Sequence, residues 1–213
     1  MLTLYYSPGA CSLGPHIVLE EAAIAHKVRH VSIPDGEHTE PEYLAINPRG
    51  RLPAIDIDGR ISTEGPAIMI YLASLKPELG LLPAAGSYEL ATCLEWLAWL
   101  SSSLHIAYAQ LWRPKRFLPP GSDASFVVAS GRANIGECND DVESRLVGPW
   151  VLGHSYSIAD SYLLAFYRWG VRIALPMQER YPRWTAWKDK MLRRPAVQRA
   201  LTVEGIGTTW RAV

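Results

Sequence analysis

The chain has 213 residues, enough for one large domain or two small ones, and its 21 basic and 21 acidic side chains balance to a formal net charge of zero. Hydrophobic residues make up 48% and charged residues 20%, which is typical of ordinary globular proteins. The charge balance argues against a general attraction to nucleic acid or to acidic membranes, so we expect neither as a partner.

Targeting signals and cysteine usage point to the cytoplasm. The first residues lack a basic segment followed by a long apolar one, and no run of 18 or more apolar residues occurs, so we expect neither a signal peptide nor a membrane span. The three cysteines, Cys11, Cys93 and Cys138, are widely spaced and odd in number. They match neither a disulfide framework nor a zinc site, so we expect a reducing compartment and no metal.

The first 80 residues alternate between strand and helix signals. A strand at 2–6 ends at Ser7-Pro8-Gly9, and later an Asp58-Gly59 dipeptide favours a tight hairpin turn. This order predicts a mixed sheet with helices packed on it. The predicted elements are strands at 2–6, 28–33, 54–57 and 60–62, and helices at 13–25, around 42–44 and at 67–75.

Strand signals mostly disappear after a segment rich in Gly, Pro and Ala. Long amphipathic patterns follow, which predict helices at 88–112, 125–147, 157–174 and 183–193. We therefore expect an α/β domain at 1–78, a linker at 79–86 and an all-helical domain at 87–213.

Cys11 lies where the first strand gives way to a helix. Free backbone N–H groups and the positive end of a helix dipole meet at such a junction, and a thiol there loses its proton more easily. We therefore expect a reactive thiolate near neutral pH. The alternative is a small buried cysteine that packs under the first strand.

Two further segments suggest a peptide-binding site. A cis Leu52-Pro53 bond would let the Leu52 backbone pair with an extended peptide, although base rates favour an ordinary trans proline. Glu64 and Gly65 precede a helix, where backbone N–H groups bind a carboxylate and Glu64 accepts from an ammonium group. The alternative for this second segment is a capped helix start and nothing more.

Three ordered motifs together resemble a known family. Tyr-Tyr-Ser-Pro-Gly-Ala-Cys-Ser-Leu, Asn-Pro-Arg-Gly-Arg-Leu-Pro-Ala-Ile and Thr-Glu-Gly-Pro-Ala-Ile look like the glutathione-binding domain of glutathione S-transferases, most of all the bacterial beta class. The resemblance continues through Leu104-His105-Ile106-Ala107-Tyr108 and Gly153-His154-Ser155-Tyr156-Ser157-Ile158-Ala159-Asp160, and so covers nearly the whole chain.

The resemblance implies a thioredoxin-like N-terminal domain, an all-α C-terminal domain and glutathione as co-substrate. Cys11 would lie beside the glutathione sulfur, and the helix residue His105 would face it across the domain interface, unless this histidine only packs between the domains. The remaining glutathione-binding residues implied by the resemblance are Ala10, Leu52, Pro53, Glu64, Gly65 and Ser103. The loop at 35–37 lacks a lysine that meets a glutathione carboxylate, so Arg49 or Arg51 is the candidate substitute.

The expected activity is conjugation of glutathione to small hydrophobic electrophiles, in detoxification and in a homodimer. Cys11 either donates a hydrogen bond to the glutathione thiolate or forms a mixed disulfide with it, which would support thiol transfer; Ser12 and Tyr5 are the reserve candidates. The alternatives are a non-enzymatic protein that binds glutathione or apolar ligands, and a glutathione-dependent isomerase or dehalogenase. The candidate aromatic lining of the second-substrate pocket is Trp99, Tyr108, Trp112 and Trp169.

Ser157-Ile158-Ala159-Asp160 is interpreted as a structural signature. Ser157 is expected to cap the following helix while Asp160 reaches back to it, as in a capping box with Asp in place of the usual Glu.

Overall fold

The computed structural model describes residues 1–212. Within them lies a four-stranded sheet in the order β2-β1-β3-β4, in which β1 runs parallel to β2 and antiparallel to β3. The predicted mixed sheet is thereby confirmed. The strands are β1 Leu2–Tyr6, β2 His26–His30, β3 Ala54–Ile57 and β4 Arg60–Thr63.

Alternation along β1 sends its side chains into two cores, one on each face of the sheet. Leu4 is fully buried in the main core, which includes the helices α1 (Leu13–Glu21) and α3 (Gly65–Ser74). Tyr5 faces a small cluster that includes Tyr43 of the short helix α2 (Pro41–Leu44). The sheet is therefore covered on both faces.

The predicted bounds of α1, β2 and α3 differ from the structure by up to four residues, and α3 begins at Gly65 instead of residue 67. Helix α1 stops at Glu21 instead of continuing to residue 25, because Ala23 adopts a left-handed φ of 48° and cannot continue the helix. Strand β2 spans 26–30 instead of 28–33, since its pairing with β1 begins at His26 opposite Leu2. The predicted β3–β4 hairpin is confirmed: Asp58 and Gly59 both have positive φ, at 50° and 85°.

Helices form the rest of the described chain. The predicted helix at 88–112 exists but is interrupted by a π-helical segment at Leu100–Leu104, and two short helices after residue 176 were not predicted. The helices are α4 Tyr88–Trp99, α5 His105–Trp112, α6 Ser125–Arg145, α7 Ile158–Arg172, α8 Met177–Arg180, α9 Pro182–Leu192 and α10 Pro195–Val203, with 3-10 turns at Glu37–Thr39, Pro77–Leu79 and Pro114–Phe117.

Helix α7 is the centre of the helical region and packs directly on α1. The capping box at its N-terminus is confirmed, with Ser157 N–H donating to Asp160 Oδ2 at 2.9 Å. Asp160 Oδ1 also accepts from Val151 N–H at 2.9 Å and from the Trp187 indole at 2.8 Å. The buried carboxylate thus joins the start of α7 to the preceding loop and to α9.

Among the residues that the structure describes, no helix is both long and apolar enough to cross a membrane. The division of the chain at 1–78, 79–86 and 87–213 stays a prediction.

Candidate functional site

A cleft of about 620 Å³ opens between the turns at the end of the sheet and the helices α5 and α7. Segments that are distant in sequence converge on it, because β1 and β4 end, and β3 begins, at the same end of the sheet. The residues that line the cleft include Ala10, Cys11, His38, Arg51, Leu52, Pro53, Glu64, Gly65, Ser101, His105, Tyr108, Trp112, Arg113, Arg116, Tyr162, Trp169 and Arg172.

Hydrogen bonds to Gly9 anchor the turn that carries Cys11. The Gly9 carbonyl accepts from the Trp169 indole at 2.9 Å and from Arg168 at 3.3 Å, and the Gly9 N–H donates to Glu204 Oε2 at 2.8 Å. Gly9 has a φ of 65°, a conformation that favours glycine. Helix α7 and the residue after α10 therefore fix the position of the Cys11 turn.

The Cys11 thiol is buried and protonated. Its Sγ donates to the Leu52 carbonyl at 3.4 Å, and only 7% of the residue is exposed. The pKa of Cys11 is raised to about 12, mainly by burial; Arg113 and the N–H groups of Cys11 and Ser12 lower it in part, and Glu64 contributes to the rise. The predicted thiolate near neutral pH is therefore wrong for this structure, because loss of water outweighs the field of the helix start.

The Leu52-Pro53 peptide bond is cis, as the family resemblance implied and against the base rate for proline. Tyr43 Oη and Asn47 Nδ2 each donate to the Arg51 carbonyl at 2.7 Å, which fixes the turn before this bond. The Leu52 backbone consequently faces the cleft beside Cys11.

Glu64 adopts a φ of 71° immediately before α3 begins at Gly65. A positive φ is strained for a residue with a side chain, and such strain is common where a ligand is held. The Glu64 side chain is largely exposed and lies 3.7 Å from Arg49. Both Glu64 and Gly65 line the cleft next to Pro53.

His105 lies on the opposite wall, at the start of α5. Its Nδ1 is 3.5 Å from the Tyr162 hydroxyl, and its ring packs edge-on against Trp169 with centroids 5.2 Å apart. Burial lowers the pKa of His105 to about 4, and Arg113, Arg116 and Arg51 lower it as well. The imidazole is therefore neutral near pH 7.

Four arginines give the cleft a positive charge that the sequence reasoning largely missed. Arg51 was a candidate, whereas the other three were not singled out. None of the four guanidinium groups forms an ion pair within residues 1–212. The sequence Arg-Pro-Lys-Arg at 113–116 could have predicted this positive charge. It is a basic cluster that directly follows the helix of His105, a candidate site residue, and it lies at the same cleft. The four are Arg51, Arg113, Arg116 and Arg172.

The structure brings together most of the predicted site residues. Ser103 is absent from the described lining and Ser101 lies there instead, because Ser101 is four residues before His105 and shares its helix face. The reserve candidates Ser12 and Tyr5 are also absent from the lining, since Ser12 bonds to the Ser7 backbone and Tyr5 packs on Tyr43. The residues that do line the cleft as predicted are Ala10, Cys11, Leu52, Pro53, Glu64, Gly65 and His105.

The predicted aromatic pocket forms in part. Tyr108, Trp112 and Trp169 line the cleft, with ring centroids 5.1 to 5.3 Å apart. Trp99 points elsewhere and packs edge-on against Trp96.

Two family models match the chain: "Glutathione S-transferase, N-terminal domain" over residues 9–75 and "Glutathione S-transferase, C-terminal domain" over residues 131–195. The chain belongs to the glutathione S-transferase family. Its relatives also identify it as an enzyme of that family. Glutathione S-transferase GstA of Escherichia coli O157:H7 is 33% identical over 96% of this chain and the whole of that protein. A disulfide-bond oxidoreductase, YfcG of Escherichia coli K12, is 28% identical over 97% of each chain.

Solved structures show the same glutathione S-transferase fold. A glutathione transferase homologue from Sulfitobacter with bound glutathione has a TM-score of 0.90 and 34% identity, over 97% of this chain and 99% of that one. A bacterial beta class glutathione S-transferase from Sphingomonas chungbukensis has a TM-score of 0.85 and 31% identity, over 96% of this chain and all of that one. The thioredoxin-like domain and the helical domain of the sequence analysis are thus confirmed.

Proposed function

We propose that this glutathione S-transferase conjugates glutathione to small hydrophobic electrophiles, in the manner of the bacterial beta class. The observation that carries the proposal is the convergence of Cys11, Leu52, Glu64, Gly65 and His105 on one cleft. The glutathione bound to the Sulfitobacter homologue supports the same co-substrate here.

The tripeptide would be held by backbone groups at one end and by arginines at the other. Glu64 and the N–H groups at the start of α3 suit the γ-glutamyl ammonium and carboxylate, while the Leu52 backbone suits the central peptide. Arg51 replaces the missing lysine of the loop at 35–37, because Arg51 lines the cleft whereas Arg49 bonds to Thr63 and lies near Glu64. Arg113 supplies a second cation for a carboxylate.

In the proposed reaction the glutathione sulfur is the nucleophile and Cys11 remains a thiol. A thiol whose pKa is about 12 is a poor nucleophile but an effective hydrogen-bond donor at neutral pH. Cys11 would turn its S–H from Leu52 to the glutathione thiolate, whose lone pair attacks the electrophilic carbon as the leaving group departs with its bonding electrons. His105 would donate from Nε2 while its Nδ1 accepts from Tyr162.

Cys11→Ala and Cys11→Ser variants test this assignment. We expect conjugation of a chloronitrobenzene substrate to fall about 10-fold in the Ala variant, which lacks the donor, and to be largely retained in the Ser variant. The substrate-free melting temperature of each variant serves as the folding control. Unchanged conjugation in both variants would remove Cys11 from the mechanism.

Thiol transfer through a mixed disulfide is the second candidate function. It is favoured by the similarity to the disulfide-bond oxidoreductase YfcG and by the Cys11 sulfur, which faces the cleft. Incubation with oxidised glutathione, followed by mass measurement of the intact chain, tests it. Rapid glutathionylation of Cys11 at pH 7, together with complete loss of disulfide reduction in Cys11→Ala, would establish this second function.

We further propose that the enzyme is a cytoplasmic homodimer that acts in detoxification. Family membership is the support for this assembly and role. Sedimentation equilibrium tests the assembly, and a monomer across the micromolar range contradicts it.

A further inference from the structure

A second cluster of chemically active side chains lies at the junction of α1 and β2. His16 and Glu20 are four residues apart and therefore share one face of α1, and His26 is the first residue of β2. One ligand atom from each of the three lies within 4.8 Å of the others. None of the three lines the cleft described above.

Hydrogen bonds orient both imidazole rings toward this cluster. His16 Nδ1 is 2.9 Å from Glu204 Oε1, and His26 Nδ1 is 2.7 Å from the Ile24 carbonyl. A carboxylate and a carbonyl can only accept, so each Nδ1 carries a hydrogen, and Nε2 is the nitrogen that can present a lone pair to a metal ion. Contacts of this kind, from Nδ1–H to a carboxylate or a carbonyl, are what orient metal-binding histidines.

His16 Nε2 is an unsatisfied buried atom. The side chain is fully buried, and this nitrogen has no hydrogen-bond partner in the part of the chain that the structure describes. A buried polar atom without a partner is costly, so native structures rarely keep one without a ligand or a bound water. Since Nδ1 is engaged by Glu204, Nε2 is the atom that remains for a ligand.

Glu20 supplies the third donor. Its Oε2 accepts from Arg199 Nε, which leaves Oε1 facing His26 Nε2 at 3.8 Å. Two ligands on a tetrahedral zinc ion, each about 2.1 Å from it, are about 3.4 Å apart. The Glu20–His26 pair therefore needs only a small closure, and the three donors, which lie within 4.8 Å of one another, need to approach by at most about 1.4 Å. The Glu20 and His26 side chains are 16% and 12% exposed, which gives an ion a route from solvent.

We propose that His16, Glu20 and His26 form a binding site for a divalent transition metal ion, with Zn²⁺ as the best match. Two neutral imidazoles and one carboxylate are a donor set that suits zinc, with water as the fourth ligand. The cysteine pattern did not predict this metal site, because the site contains no cysteine. Its three ligands come together only in the folded chain, where β2 pairs with β1 and His26 lies beside α1.

Hydrogen bonds join the proposed metal ligands to the Cys11 turn and to α10. Glu204, which orients His16, also accepts from the Gly9 N–H of the Cys11 turn through its other oxygen. Arg199, which holds Glu20, lies on α10. Binding of the metal therefore stabilises the contact of α1 with the C-terminal helix, and we expect the melting temperature of the full chain to rise with Zn²⁺ concentration.

Calorimetric titration of the chelator-treated full chain with Zn²⁺ alone, in the absence of glutathione, tests the proposal. We expect one ion per chain, and affinities lower by about 100-fold or more in His26→Gln and in Glu20→Gln, since each variant removes one of three ligands. His154→Gln, which alters an exposed histidine that is not one of the three proposed ligands, is the matched control and should bind as the native chain does. The melting temperature of each metal-free variant shows that it is folded.

Co²⁺ absorption distinguishes this site from a cysteine site. Nitrogen and oxygen ligands give visible bands without the near-ultraviolet transition from thiolate to cobalt. A thiolate band that disappears in Cys138→Ser would overturn the proposal. It would be equally overturned by the absence of stoichiometric binding or by native affinity in either ligand variant.

Discussion

The two walls of the cleft offer a ligand different kinds of groups. The turn wall, residues 7–11, 50–53 and 63–66, presents mainly backbone groups around a protonated thiol. The helical wall, formed by α5, the turn to Arg116 and α7, presents charged and aromatic side chains. The first wall therefore suits recognition of a peptide backbone, and the second suits carboxylates and an apolar partner.

Charge divides the two walls as well. Glu64 of the turn wall is the one carboxylate in the described lining, whereas the helical wall adds Arg113, Arg116 and Arg172. Burial lowers the pKa of His105, and Arg113 and Arg116 of the helical wall and Arg51 of the turn wall lower it as well. Burial raises the pKa of Cys11, and Arg113 offsets only part of that rise. The helical wall thus supplies most of the field that stabilises an anionic sulfur.

The largest expected effect is a loss of stability when the buried hydrogen bonds at the start of α7, in the helical wall, are removed. Asp160→Ala leaves the buried donors of Val151, Ser157 and Trp187 without their acceptor. At about 1 kcal/mol or more for each unsatisfied donor, we expect a loss of about 3 kcal/mol or more in the free energy of unfolding, measured by urea denaturation. Asp140→Ala, which removes an exposed ion pair with Arg180, is the control and should cost less than about 1 kcal/mol. Native stability of Asp160→Ala with lost activity would make Asp160 a functional residue.

The next largest effect tests the charge of the helical wall. Arg113→Gln keeps a polar side chain but removes a cation without an ion-pair partner in the described chain, so we expect the KM for glutathione to rise about 10-fold or more. Arg132→Gln, at an exposed position on α6, is the matched control. An unchanged KM in Arg113→Gln would show that the turn wall alone binds the tripeptide.

The turn wall could be predicted because its function depends on short local patterns. Cys11, Leu52-Pro53 and Glu64-Gly65 each lie at a strand or helix end that the sequence itself marks, and the three motifs appear in order. The cis bond was recognised only through the resemblance, since local sequence favours trans. The protonation of Cys11 was predicted wrongly, because burial is set by packing against residues far away in the chain.

The helical wall depends on helix phase and on tertiary contacts, which local patterns record poorly. The π-helical segment at Leu100–Leu104 interrupts the predicted helix, and Ser101 instead of Ser103 reaches the cleft. Tyr162, which bonds to His105, was not singled out, because it lies 57 residues further along the chain and reads as one more buried aromatic. The Asp160 capping box was predictable, since it is local.

A labelling experiment distinguishes the buried thiol of the turn wall from an activated one. Because the pKa of Cys11 is raised from 9.0 to about 12, its thiolate fraction near neutral pH is lower than that of an unperturbed thiol by a factor on the order of 10³. We expect iodoacetamide to label Cys11 slowly at pH 7 and progressively faster as the pH rises toward 12, measured by peptide mass spectrometry. The same peptide in the denatured chain is the control. A labelling inflection below pH 8 would show that the helix field outweighs burial after all.

The smallest effect is expected where the turn wall acts through its backbone. Leu52→Ala shortens a side chain but keeps the N–H and C=O groups that are proposed to pair with the tripeptide, so we expect the KM for glutathione to change by less than about 3-fold. A glutathione analogue with an N-methylated cysteinyl amide removes one of those backbone hydrogen bonds instead, and should bind more weakly to the native chain and to Leu52→Ala alike. If Leu52→Ala raises the KM as much as Arg113→Gln does, then both walls bind through side chains and the division between them fails.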